Sequence, residues 1–81
     1  MRVTATQMKA LAFIKRYTDL EAFPPTRREL CAFMGWTAPA TGQKMVEALE
    51  RKGLIERVAA RHGVVRVTPF GLSVLTDRVA A

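Results

Sequence analysis

The sequence predicts a small α+β fold: three helices, a two-stranded β-hairpin and a short terminal helix, within a single domain spanning 1–81. Three observations carry that expectation. Apolar residues recur at helical spacing over three stretches ahead of Gly53, two short β-prone runs follow around a glycine-containing turn, and Pro or Gly punctuates the boundaries. Eighty-one residues suit one modest core and leave no room for a second unit or a deep enzyme cleft. At 49% hydrophobic and 25% charged, the composition is that of a globular chain, not a disordered one.

The first helix is expected from Thr4 to about Leu20, where Gln7, Ala10, Leu11, Ile14 and Thr18 make one face and Phe13 and Tyr17 widen it. DLEAFPP ends it, because two prolines remove backbone donors and push the residue before each toward extended geometry. A helix restarts after them: Thr26 and Glu29 have capping-box spacing ahead of Leu30, and Arg27 to Met34 forms a short second helix stopped by Gly35. Trp36 sits at the following turn, suited to plugging the gap between two crossing helices. The third helix opens at Pro39, with Gly42, Val46 and Leu49 inward and Gly53 as its left-handed cap. Thr37 or Ala38 must serve as its N-cap; if Pro39 is the first helical residue the cap falls to Ala38, a poor capper, and this helix start is then expected to be loosely held. Gly42 costs about 1 kcal/mol of helix propensity relative to alanine, and its use is close approach to the second helix.

LIERV (54–58) and VVRVT (64–68) read as the hairpin strands, with Leu54, Val58, Val65 and Val67 as inward candidates and AARHG as the connection. Core and wing thus cover 4–68. Thr68-Pro69 caps a terminal helix over 69–79, on which Leu72, Leu75 and Val79 share a face. That face either builds a homodimer or packs on the first helix of its own chain; both readings stand at this stage.

Charge narrows the function. Thirteen Lys plus Arg against seven Asp plus Glu gives a net charge of +6 and a pI near 10.5, favouring a polyanionic partner, nucleic acid first and an anionic membrane surface second. No apolar run approaches the roughly 20 residues that span a bilayer, and no signal-peptide core follows Met1, so a cytoplasmic protein is expected. Cys31 cannot form an internal disulfide and, beside Leu30 and near Met34, reads as a buried structural thiol. Cys31 and His62 are too few to fill a metal site, and no phosphate cradle or nucleophile-base pair is evident. An enzyme, a metal, a cofactor and a small-molecule effector are therefore not expected.

Helix, elbow, helix, turn, helix, basic hairpin and helix is the order of a winged helix-turn-helix, in which the third helix lies in the major groove of double-stranded DNA. The stretch from Thr4 to Val58 resembles the N-terminal DNA-binding domain of the LexA family of SOS repressors. It shares the opening TAxQ, the PPTRxEL elbow, the MG-aromatic turn, the proline that opens the third helix, and ALERKGLIE leading into the wing, over about two thirds of the chain. The resemblance implies operator reading by the first turns of the third helix, where the family typically carries Ser-Pro-Asn-Ala-Ala-Glu-Glu. Here the matching residues are Ala38, Pro39, Ala40, Thr41, Gly42, Gln43 and Lys44, so different bases are expected to be read. LexA repressors continue into a dimerising, self-cleaving Ser-Lys domain; these 81 residues carry no counterpart of it, and autoproteolysis is not expected.

On the third helix Ala40, Thr41, Gln43, Lys44 and Glu47 point away from the inner face and form the candidate reading surface. Gln43 is suited to adenine, Lys44 to guanine or phosphate, and Ala40 or the Thr41 methyl to a thymine methyl. The bland alternative is the polar outer face of any amphipathic helix. Arg27 and Arg28 are candidate phosphate clamps, with the Thr26 amide and neighbouring N–H groups adding to the attraction. Two cations at a helix N-terminus oppose its dipole, which a merely solvated first turn does not explain. Arg61 and His62 at the hairpin tip, flanked by Arg57 and Arg66, make a basic wing. Arg51 and Lys52 are second-rank phosphate candidates. Phe33 is either a partner contact or packs against Phe70.

The function expected is a sequence-specific DNA-binding transcriptional regulator, a small repressor. The alternative is a winged-helix protein-interaction factor of phage or plasmid type that docks on polymerase or another regulator. Non-specific architectural binding is a third reading, with a steep salt dependence and no base preference.

Overall fold

The computed structural model describes residues 2–61 and 63–80, the last three of them by backbone alone. Four helices and one hairpin follow in chain order: α1 (Ala5–Glu21), α2 (Arg27–Met34), α3 (Pro39–Arg51), β1 (Ile55–Arg57), β2 (Val65–Val67) and α4 (Pro69–Ala80). This is the α+β winged helix-turn-helix architecture that the sequence predicts. His62 and the side chain of Val79 lie outside the described residues.

Local chemistry explains each boundary. Thr4 and Gln7 close a capping box on α1, and Thr26 and Glu29 close a second on α2, each hydroxyl accepting the N3 amide while the N3 side chain accepts the cap amide. α1 ends where Ala22 turns left-handed at φ 66°, just ahead of the two prolines, and α2 ends at Gly35 with φ 77°. At Ala38 no side chain caps α3.

The core gathers Leu11, Ile14, Leu30, Val46, Leu49, Leu54 and Ile55 with Val65 and Leu75, and Trp36 packs half-buried against it. Gly42 is buried at the α2–α3 crossing: an added Cβ would stand 2.7 Å from Cys31 Sγ. Cys31 is half-buried and not fully buried as expected: its sulfur fills the space that Gly42 leaves, but the residue also lines the open groove between α2 and α3.

β1 and β2 pair antiparallel in the register Ile55 to Val67, Glu56 to Arg66 and Arg57 to Val65. The inward set differs from the expectation at two places. Ile55 and Val64 are buried beside Leu54 and Val65, and Val58 is only half-buried, whereas Val67, also half-buried, packs inward against the core as expected. The reason is that the strands are three residues long, so Leu54 and Val64 lie outside the pleat and turn inward on their own. The hairpin also has a third member. The elbow runs beside β2 through a Thr26–Val64 bridge, with the Val65 amide donating to the Pro25 carbonyl at 3.1 Å and the Arg27 amide to the Gly63 carbonyl at 2.6 Å.

α4 packs on α1 and β2. Its inner face is Gly71, Val74 and Leu75, not Leu72 with Leu75: Leu75 is buried in its own chain's core and Leu72 is exposed. Gly71 sits so close to the Leu54 carbonyl and to Val67 that any side chain would collide with both. The dimer reading therefore loses Leu75 to the intramolecular core and keeps Leu72 as its accessible member. Phe33 does not reach Phe70 either; it stacks on Phe13, ring centroids 4.2 Å apart.

Candidate nucleic-acid interface

The first turns of α2 and α3 face each other across a groove lined by Arg27, Arg28, Cys31, Trp36, Pro39, Gln43 and Gly63. The Gly42–Cys31 contact fixes how closely the two helices cross, and the Pro-Pro elbow fixes where α2 begins. Ala40, Thr41, Gln43 and Lys44 are all exposed on α3, while Glu47 is half-buried one turn further along. Trp36 belongs both to the core and to the groove wall.

A second hollow joins Arg27 to the wing, with Arg57, Arg61, Gly63 and Val46 on its walls. Arg27 thus stands where α2, α3 and the wing meet. No residue type announces this, because the bridging hydrogen bond runs between two main-chain groups, the Arg27 amide and the Gly63 carbonyl.

Ion pairing divides the basic residues of α2, α3 and the wing into two groups. Arg57 pairs with Glu50 at 3.1 Å, Arg66 with Glu56 at 2.7 Å and Lys15 with Asp19 at 2.7 Å. Arg57 and Arg66 are therefore neutralised by their own wing and by α3. Arg27, Arg28, Lys44, Arg51 and Arg61 are exposed and have no carboxylate partner among the described residues. Those unpaired cations run from the start of α2 along α3 to the wing tip. Arg51 also lies in the last turn of α3, where a cation complements the helix dipole without any ligand.

Two candidates change role. Lys52 is not a free cation: its Nζ donates to the Arg2 carbonyl at 2.6 Å and to Gln7 Oε1 at 2.7 Å, tying the α3 end to the start of the chain. Gln7 is the buried polar residue of the core, and its Oε1, which already accepts the Thr4 amide at 3.1 Å, gains a charged second donor here. Thr26 is likewise spent, its amide donating to Glu29 Oε1 at 2.9 Å and its hydroxyl accepting from the Glu29 amide at 3.1 Å. With the Arg27 amide given to Gly63, the Arg28 amide is what remains of α2's opening donors. Attraction for an anion here rests on guanidinium groups more than on backbone N–H groups.

Glu29 resolves the dipole conflict raised by Arg27 and Arg28. Its carboxylate, held below the usual range by the Tyr17 hydroxyl bond and then by the Thr26 amide, places a fixed negative charge in the first turn of α2. Tyr17 donates to Glu29 Oε2 at 2.6 Å, and that bond, followed by burial, pushes its own pKa up to about 12. Tyr17 thereby bolts α1 to the helix that carries the arginines.

No helix of the described residues is long and apolar enough to cross a membrane. The model of the LexA DNA binding domain matches residues 1–63. The chain is similar to LexA repressors from Limosilactobacillus fermentum, 33% identical over 89% of this chain and 35% of that protein, and from Marinobacter nauticus, 37% identical over 83% and 33%. A third, from Pseudomonas chlororaphis, is 34% identical over 86% of this chain. The chain spans about a third of the length of these relatives. With that domain model matched over residues 1–63 and these relatives more than 30% identical over most of its length, the chain belongs to the LexA DNA-binding-domain family.

Proposed function

We propose that this protein is a sequence-specific double-stranded DNA-binding regulator that acts as a transcriptional repressor in the cytoplasm. α3 lies in the major groove, where Gln43 and Lys44 meet base edges and Ala40 and Thr41 offer methyl contacts; Glu47 stands at the deep end of the same face. Arg27 and Arg28 hold phosphates on one side and Arg61, at the wing, on the other, with Arg51 as an outlying contact. The observation that carries this reading is the distribution of unpaired cations along α2, α3 and the wing tip, while the other wing arginines are neutralised. Occupying a promoter requires no catalysis, so no enzymatic step is assigned.

A single module buries roughly 600–1,000 Å² on DNA, and two copies on a palindrome would sharpen its specificity. Leu72 on α4 is the contact offered for such a homodimer. The test is in vitro selection from a random duplex pool at near-physiological salt, comparing the native protein with a Gln43→Ala, Lys44→Ala double variant. An enriched motif that relaxes at particular positions in the variant supports direct readout, and twofold symmetry in that motif supports the dimer. Duplex binding without any enriched motif would reduce the protein to an architectural binder.

A further inference from the structure

A second surface is built on the other side of α1 and α2. Phe33, Phe13, Tyr17 and Phe23 form a continuous aromatic ladder, with ring centroids 4.2, 5.9 and 6.1 Å apart in that order. Beside it Phe13, Tyr17, Phe33, Leu20 and Ala12 line an apolar groove. Two of its apolar members are open, Leu20 at 71% exposed and Phe33 at 50%, and Phe23 at the end of the ladder is 49% exposed. Grouped exposed apolar residues, unlike scattered ones, mark interaction sites.

The groove has a charge as well as a shape. Lys9 and Arg16 line it, and neither has a carboxylate partner among the described residues; the Lys9 ammonium instead lies 5.6 Å from the Phe33 ring centroid. Glu21 stands at the far end of the same face. Lys9, Ala12, Phe13, Arg16, Tyr17 and Leu20 follow the i, i+3, i+4 pattern of one helix face, distinct from the Gln7–Ala10–Leu11–Ile14 face that enters the core. α1 is therefore apolar on two sides, and only one of them is covered by its own chain.

The groove is also independent of the α2–α3 groove. Arg28 and Phe33 are five positions apart on α2, which sets them about 140° apart around the helix. A molecule seated against Phe33 leaves Arg27, Arg28 and α3 open.

We propose that this aromatic groove docks an acidic amphipathic helix of another protein, its apolar ridge on Phe13, Leu20 and Phe33 and its carboxylates on Lys9 and Arg16. A helix laid in a groove fits the one-face spacing of the lining residues. A second copy of this chain fits less well: a twofold contact through the groove offers its two cations, Lys9 and Arg16, a single carboxylate, Glu21, in a molecule already at +6. The inference stands whether or not α3 reads base sequence.

The experiment is selection from displayed helical peptides of roughly 16 residues, long enough to hold a helix in water. One face varies among Leu, Met, Phe, Trp and Ala, and the flanks vary among Glu, Gln and Lys. The native protein is expected to enrich peptides with aliphatic or aromatic anchors and glutamate flanks. Leu20→Glu and Arg16→Glu, both at exposed positions that leave the core intact, are expected to weaken the selected peptide at least about tenfold while leaving duplex affinity within about twofold. No enrichment, lysine-rich flanks, or unaltered binding by both variants would overturn the proposal. Concentration-dependent self-association abolished by Leu20→Glu would assign the groove to a second copy instead. Loss of duplex binding in the variants would overturn the independence of the two surfaces, a result distinct from failure of the base-reading assignment, which leaves peptide binding intact.

Discussion

The backbone amide of Arg27 donates to the carbonyl oxygen of Gly63 at 2.6 Å, joining the first residue of α2 to the wing. One residue therefore does two separable things: its amide holds the wing, and its side chain is free to meet a phosphate. Arg27→Ala removes the second only. The expected result is weaker duplex binding that is uniform across sequences, a salt slope reduced by about 0.9 for the lost phosphate, and stability within about 0.5 kcal/mol of native. Arg27→Pro also deletes the amide at a position where proline suits the helix, and Thr26 before it is already extended at φ −81° and ψ 161°. It is expected to cost a further ~0.5–1.5 kcal/mol, read by urea unfolding, and to speed hydrogen exchange at Val64 and Val65. Equal exchange in the two variants would refute the coupling.

That bond also marks where sequence reading ends. The helices, the Thr26–Glu29 box and the Gly42 crossing were legible because each follows from residue type at fixed spacing. So were the exposed positions of α3, since helix periodicity decides them once Gly42, Val46 and Leu49 are known to be inward. The Lys52–Gln7 bond, the Tyr17–Glu29 bolt and the elbow's place beside β2 join residues 45, 12 and about 40 positions apart, and no local pattern announces such pairs. Leu72 and Leu75, grouped on one face of α4, part company, Leu72 exposed and Leu75 buried, because a short helix with apolar residues on several sides has no single clear stripe; Gly71 is the informative residue, being tolerable only against a neighbouring backbone.

Gly42 gives a sharp test of the α2–α3 crossing. Alanine there adds helix propensity of about 1 kcal/mol, yet its Cβ would stand 2.7 Å from Cys31 Sγ. Overpacking of this kind costs about 1–3 kcal/mol, so Gly42→Ala alone is expected to be neutral or destabilising. In a Cys31→Ala background the obstacle is gone, and the same change is expected to stabilise by up to about 1 kcal/mol. A double-mutant cycle by thermal unfolding checks this, and additive effects would mean that the contact does not govern the crossing.

The Tyr17–Glu29 bond predicts a pH window. Glu29 has its pKa lowered in the folded state, so its contribution is present above the ordinary carboxylate range and is lost as pH falls through the depressed value. Tyr17 is raised from 10.0 to about 12, so its contribution is full below pH 10 and is lost as pH rises toward 12. The stability difference between native protein and Tyr17→Phe is therefore expected to be flat across neutral pH and to shrink at both extremes. Urea midpoints measured across the pH range test it; a difference independent of pH would rule the bond out as the source.

Arg51 and Lys52 are adjacent in sequence and alike in charge, yet they separate cleanly by experiment. Lys52 is expected to be structural: Lys52→Met removes two charge-assisted hydrogen bonds, leaving the buried Gln7 oxygen with the Thr4 amide alone and passing the exposed Arg2 carbonyl to solvent. The cost is about 1–3 kcal/mol, with duplex affinity and salt slope unchanged at temperatures where the variant is folded. Arg51 is exposed and unpaired among the described residues, so Arg51→Ala is expected to change stability by less than about 0.5 kcal/mol and to weaken duplex binding modestly with a shallower salt slope. A reversal of these results would mean that Lys52 leaves Gln7 for a phosphate when DNA binds, and the loosening of the chain start that follows would be visible as faster amide exchange in the first turn of α1.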